Sequence, residues 1–280
     1  MLTRLIHISR PVLWVNTIGT TVIAMWLMGD LWRWDVFPLL LWVTLPFNLL
    51  IYGVNDIFDQ ATDAQNTRKG GLEGARILGS EVRPIVIGVL LTNVPFVAYF
   101  LLTLPPAALA WITAYALIFV FYSAPPLRFK ARRYVDSLSN AAYAFPLVFV
   151  PLAVGERPIW SAAIGLMAWS VAKHTYDAVQ DIDEDRAARI RTTAVHLGAR
   201  GATVWSAIWW ALSTVGFALI SWPVALVNLL IAGWLVMSLG RDPIPATARR
   251  LYRYSIVFPY VAGSVAGAQV VAAILLGTYP

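Results

Sequence analysis

The sequence predicts an all-α, polytopic integral membrane protein, and three observations predict it. Hydrophobic residues make up 59% of the 280 positions and charged residues only 13%, with a mean hydropathy of +0.67. A water-soluble domain carries about a quarter of its residues as charges. Nine stretches approach the roughly 20 apolar residues that a helix needs to cross a bilayer, and the basic residues gather in every second connection between them.

In chain order the predicted spans run from 11 to 29, 36 to 54, 84 to 102, 105 to 123, 137 to 154, 159 to 176, 203 to 221, 222 to 239 and 255 to 277. The first is too long for a signal-peptide core and ends in Met28-Gly29-Asp30 without a small-residue cleavage site, so it reads as a retained helix. The ninth holds Gly263 and Gly267 as a G-x-x-x-G, a close-packing signal. Residues 1–280 are expected to form a single domain.

Placing the N-terminus in the cytoplasm puts 18 of the 21 basic residues on that side, leaving Arg33 and Arg157 outside and Lys173 near the inner end of span six. The positive-inside rule therefore predicts a cell-membrane protein with its N-terminus in and its C-terminus out. The outer connections are short and the inner ones long and polar, so function is expected on the cytoplasmic face. Trp32, Trp34, Trp160 and Trp222 suit an aromatic belt at the opposite edge. The charge of +6 needs no nucleic-acid partner once this rule is applied. With no cysteine, disulfides, thiolate nucleophiles, iron–sulfur clusters and cysteine zinc sites are all excluded.

Eight of the 15 acidic residues lie in two segments. After span two comes Asn55-Asp56-Ile57-Phe58-Asp59-Gln60-Ala61-Thr62-Asp63; if the helix continues, Asn55, Asp59 and Asp63 share a face that extends back to Tyr52 and Asn48. After span six, Asp177, Asp181 and Asp185 repeat the spacing, with Asp183 and Glu184 between them. Like charges one turn apart oppose helix formation, so such a stripe calls for a counter-ion, and oxygen ligands select a hard cation such as Mg2+. Arg68 and Lys69 follow the first run, and Arg186, Arg189 and Arg191 the second. Carboxylates and cations at the edge of a lipid-embedded helix bundle describe a diphosphate site for an apolar tail, although solvated helix ends and positive-inside residues would show similar charges.

At these residues the chain resembles the UbiA superfamily of intramembrane prenyltransferases. The resemblance rests on Asn55 to Asp63 continuing through Asn66-Thr67-Arg68-Lys69-Gly70-Gly71, on Tyr122-Ser123-Ala124-Pro125-Pro126-Leu127-Arg128-Phe129-Lys130, and on Asp177 to Arg186 running into Thr192-Thr193-Ala194-Val195-His196-Leu197-Gly198. Arg10-Pro11 at the start of span one is a weaker fourth match. The resemblance implies nine helices around a central cavity and a Mg2+-dependent transfer of an isoprenyl group from its diphosphate. Asn66 to Ala75, Ala124 to Arg132 and Asp136 to Asn140 look most similar to the lycopene elongase branch, which adds five-carbon units from dimethylallyl diphosphate to lycopene, with or without hydration. Asp177 departs from the pattern, standing where several relatives carry Asn.

On this basis Asp56, Asp59, Asp63, Asp181 and Asp185 are the expected Mg2+ ligands, with Asn55 and Asp177 as further members. Arg68, Lys69, Lys130 and Arg128 are the expected diphosphate clamps. Tyr52, Tyr122 and Tyr176, each at the inner end of an even-numbered span, are expected to wall the pocket that keeps water from an allyl cation. Asp136, Asn140 or His174 would position the final proton loss or water capture; Trp169 and Asn16 read as packing. The expected partners are an allylic prenyl diphosphate, a lipophilic acceptor such as lycopene, and membrane lipid. Two competing readings remain: an aromatic acceptor of the quinone, chlorophyll or tocopherol type, for which Lys173 is the one deep cation, and an ion-coupled transporter.

Overall fold

The computed structural model describes residues 1–63 and 76–278, with the side chains of 61–63 left aside. Helices fill it, and there are no strands among the described residues. Each of the nine predicted spans is occupied by helix. Among the described residues six stretches are long and apolar enough to cross a bilayer: Trp34–Gln60, Gly79–Thr103, Pro106–Ser123, Val135–Ala153, Trp222–Arg241 and Pro245–Leu275. The predicted spans 11–29, 159–176 and 203–221 are not among the six, and the apolar helix over the first, Pro11–Leu27, is short. The protein is a multi-pass membrane protein, and its exposed leucines, isoleucines and valines are what a lipid-facing surface requires.

The chain divides into two compact units, Met1–Arg128 with Phe145–Pro158, and Phe129–Ala144 with Ile159–Pro280. The first contains α1 (Leu2–Ile8), α2 (Val15–Leu27), α3 (Phe37–Trp42), α4 (Leu45–Asp63), α5 (Val82–Thr103), α6 (Pro106–Ser123) and, from the later segment, α8 (Pro146–Ala153). The predicted second span is broken at Val43-Thr44, between α3 and α4. Pro46 supplies no N–H there, so a carbonyl of the preceding turn loses its helical partner. Asn48 and Thr17 cover the break: Asn48 Nδ2 donates to the carbonyls of Val43 and Thr44 at 2.8 Å, and Thr17 Oγ1 donates to Val43 at 2.8 Å. Asn48, expected on the acidic stripe, is therefore a clamp for the broken backbone. Asn93 of α5 accepts from Trp42 Nε1 at 3.0 Å and donates to the carbonyl of Pro46 at 2.8 Å. Below these bonds the rings of Phe47 and Tyr115 stack at 4.4 Å, with Trp42, Phe100, Phe119 and Phe149 around them.

The second unit contains α7 (Val135–Leu138), α9 (Trp160–Ala178), α10 (Ile182–Ala187), α11 (Thr193–Ala218), α12 (Trp222–Arg241) and α13 (Pro245–Leu275). Helices α9 and α11 pack closely because two glycines meet: a Cβ on Gly216 would lie 2.7 Å from Gly165 Cα. Helix α11 is kinked at Gly198, whose φ of 68° favours glycine. Its first turn is capped by Thr192, whose hydroxyl accepts from the Val195 amide at 3.2 Å. Packed between α9, α11, α12 and α13 are Tyr176, Trp210, Leu235 and Phe258. The predicted fifth span is an α-turn, a 3-10 stretch over Ser139–Ala144, and α8, with Pro146 opening the last piece.

Candidate active site

In the first unit the site is built on the last turns of α4. Tyr52, Asp56 and Asp59 are buried, and Asn55 Nδ2 donates to Ser123 Oγ, at the end of α6, at 3.0 Å. The Asp56 carboxylate, fully buried, lies 2.6 Å from Arg10 Nη2, and the same guanidinium sits 4.6 Å from the centre of the Tyr52 ring. Arg10 reaches this position from a left-handed backbone conformation, φ 53°, just before Pro11 opens a 3-10 turn. Asp56, expected as a metal ligand, thus already has a counter-charge. Asp63 closes α4, and its side chain lies outside the described residues, as do Arg68 and Lys69 altogether. Tyr122 ends α6 one residue before Ser123, and Arg128 lies beyond it with φ 41°.

In the second unit the acidic run does not continue as one α-helix. After Ala178 the backbone tightens into a 3-10 turn over Val179–Asp181 before α10 begins. Asp177, Asp181 and Asp185 therefore do not share one stripe, contrary to the spacing in sequence. Asp177 instead pairs with Lys173 one turn back and accepts from Ser255 Oγ of α13 at 2.5 Å. Asp185 is flanked by Thr192, whose hydroxyl lies 3.4 Å from its carboxylate. Burial, reinforced by the charge of Asp181, raises the Asp185 carboxyl to about 6. Lys130 stands in a 3-10 turn over Phe129–Ala131.

Asp136, also expected to take part in proton transfer, is fully buried and accepts from the Thr193 amide at 3.0 Å and from the Thr193 hydroxyl. Its backbone carbonyl accepts from Asn140 Nδ2 at 2.7 Å. His174 Nε2 lies 3.8 Å from its carboxylate, beyond hydrogen-bond reach. Tyr176 is in the core: its hydroxyl donates to the Leu235 carbonyl at 3.1 Å and its ring packs on Trp210 at 5.3 Å. That phenol ties α9 to α12.

Among the described residues no three His, Asp or Glu side chains gather closely enough to cage a metal by themselves. Mg2+ does not require such a cage, since it is commonly held by one or two carboxylates, waters and substrate phosphates. Asp59 in the first unit and Asp181 and Asp185 in the second each carry oxygen donors of that kind, while Asp56 is paired with Arg10 and Asp177 with Lys173. Several residues that shape the site were given no role of their own in the reading of the sequence: Arg10, Ser123, Thr193, Ser255, and Arg249, which binds the Gln180 carbonyl at 3.1 Å and Glu184 at 2.5 Å. Arg10-Pro11 and the pair Thr192-Thr193 before a helix were the signals available for two of them.

Comparison with known proteins adds a common ancestry to this geometry. The model of the UbiA prenyltransferase family matches residues 17–258. A lycopene elongase/hydratase of Haloferax volcanii is 35% identical over 240 residues, covering 81% of this chain and 78% of that protein. Another, of Halobacterium salinarum, is 34% identical over 250 residues, 88% of each chain. The structure of a UbiA homolog from Archaeoglobus fulgidus bound to GPP and Mg2+ shares the fold, with a TM-score of 0.67 at 17% identity over 93% of this chain and 99% of that chain.

Proposed function

Because this chain belongs to the UbiA prenyltransferase family and is a membrane prenyltransferase, we propose that it transfers the isoprenyl group of dimethylallyl diphosphate to lycopene, as a step toward fifty-carbon carotenoids. The observation that carries the acceptor is the identity with lycopene elongase/hydratases over most of the chain. One feature of the site supports it. Lys173, the deep cation that an acidic aromatic acceptor would need, is already neutralised by Asp177. An acceptor carboxylate would have to displace that partner, whereas a hydrocarbon makes no such demand.

In this reading residues 1–280 form one prenyltransferase domain of nine spans in the cell membrane, with the N-terminus and the catalytic face in the cytoplasm. Asp59, Asp63, Asp181 and Asp185, with Asn55, hold Mg2+, which when bound offsets the charge that develops on the departing diphosphate. Arg68, Lys69, Arg128 and Lys130 take the remaining phosphate oxygens with charge-assisted hydrogen bonds. Ser123 fixes the Asn55 amide, so Asn55 turns a carbonyl oxygen rather than an N–H toward its other neighbours. Tyr52 and Tyr122 present ring faces that exclude water and stabilise an allyl cation. His174 is the base nearest the buried Asp136 and accepts or relays the proton lost after the alkene attacks.

Incubating the purified protein with Mg2+, lycopene and dimethylallyl diphosphate, and weighing the carotenoid by mass spectrometry, tests this. Mg2+-dependent gain of one or two five-carbon units is the expected result, and further gain of water would add hydration. Unchanged lycopene, with prenylation of a quinone precursor or of 4-hydroxybenzoate under the same conditions, would overturn the acceptor.

A further inference from the structure

The sequence motif places Asp56 among the metal ligands, and the geometry assigns it elsewhere. We propose that Asp56 is a positioning residue: it holds the Arg10 guanidinium over Tyr52, beside the acidic end of α4, and leaves Mg2+ to Asp59 and its neighbours. The inference rests on the prenyltransferase reading of that helix end. Four observations support it. The Asp56 carboxylate is fully buried and pairs with Arg10 at 2.6 Å. A metal on the same carboxylate would set a dication against a buried guanidinium, and the repulsion would be strongest where water is excluded. The same guanidinium lies 4.6 Å from the centre of the ring of Tyr52, one turn before Asp56 on α4. Finally, Arg10 adopts a left-handed backbone, φ 53°, and its side chain is 12% exposed. A long cationic side chain is not held that way without a fixed anchor.

The anchored guanidinium has a further property. Arg10 Nε is buried and has no hydrogen-bond acceptor among the described residues. A buried N–H of this kind costs stability until it meets an oxygen, and an arginine fork suits phosphate oxygens. Arg10 so held adds a cation for the donor's diphosphate from the N-terminal end of the chain, separate from Arg68 and Lys69.

The test compares Asp56→Asn with Asp59→Asn in the purified full-length protein. Asp59→Asn should raise the Mg2+ concentration giving half-maximal turnover about tenfold or more, as the loss of a ligand does. Asp56→Asn should leave that concentration within about twofold while raising the KM for dimethylallyl diphosphate about tenfold, the loss expected for one charge-assisted contact. A second readout needs no turnover. In Mg2+-free buffer Asp56→Asn should lower the melting temperature by several degrees, because Arg10 is left buried without its anion. Combining Arg10→Gln with Asp56→Asn should restore most of that loss, and should also recover the protein if Asp56→Asn alone does not fold. The inference is overturned if Asp56→Asn shifts the Mg2+ requirement as Asp59→Asn does, if it changes neither KM nor the Mg2+-free melting temperature, or if Arg10→Gln fails to compensate. If Asp59→Asn leaves the Mg2+ requirement unaltered, the ligand assignment itself fails, a distinct result.

Discussion

Thr193 gives both its amide and its hydroxyl to the carboxylate of Asp136, fifty-seven residues earlier in the chain. The pair joins the short helix α7 to the first turn of α11, and Tyr134 adds its amide to the same hydroxyl at 2.9 Å. A carboxylate with no exposed surface needs these donors. Thr193→Val keeps the shape and removes the hydroxyl, so it should cost about 2 kcal/mol, the penalty for a buried charged group that loses a hydrogen bond. Thermal unfolding of the detergent-solubilised protein measures it; a change below about 0.5 kcal/mol would mean the carboxylate finds another donor.

Turnover should depend on Asp59 through Mg2+. Asp59→Ala is expected to reduce turnover by about a hundredfold or more, since metal stabilisation of a leaving group contributes several kcal/mol. The variant should still accumulate in the membrane fraction. Near-normal turnover would remove Asp59 from the ligand set.

Chelation should act reversibly. Adding EDTA to the wild-type protein should abolish turnover without loss of helical signal in circular dichroism, and excess Mg2+ should restore it, because the helices pack through apolar side chains and glycines rather than through the metal. Irreversible loss of helix on chelation would show that the metal holds the fold as well.

The contact of Gly165 with Gly216 leaves no room for a methyl group. Gly216→Ala should destabilise by about 1–3 kcal/mol, the usual range for overpacking, because the atom it meets is backbone at 2.7 Å and cannot swing aside. Gly233→Ala, with nothing within 4 Å of the added carbon, is the matched control. It should be neutral or slightly stabilising, since alanine favours helix. Equal melting temperatures for the two variants would contradict the close approach of α9 and α11.

Removing Lys173 and Asp177 together should spare the acceptor step. A buried ion pair is often replaced without loss when both partners go, so Lys173→Met with Asp177→Asn should leave the KM for lycopene within about threefold, well under the tenfold that 1.4 kcal/mol represents. A tenfold rise would mean that Lys173 touches the acceptor.

The helical class, the membrane-spanning character and the two acidic helix ends were legible in the sequence because they depend on local composition and on short spacings. What was not legible depends on residues far apart in the chain. Arg10 meets Asp56, Ser123 meets Asn55 and Ser255 meets Asp177 only after folding, and those partners set the surroundings of each side chain. The breaks within predicted spans had local causes in Pro46, Pro146 and Gly198, but their placement depends on groups such as Asn48 that accept the freed backbone. The bond of the Tyr176 hydroxyl to the Leu235 carbonyl is another such long-range contact that the sequence does not announce.

The 3-10 turn at Val179–Asp181 works as a phase shifter. A 3-10 turn winds about 120° per residue against about 100° for an α-helix, so three residues turn the following segment by about 60° relative to the preceding one. Asp177 stays in phase with Lys173 on α9, while Asp181 and Asp185 are rotated away from that cation. Two identical four-residue intervals in the sequence are thereby given different surroundings: Asp177 is paired with Lys173, and Asp185 lies beside Thr192.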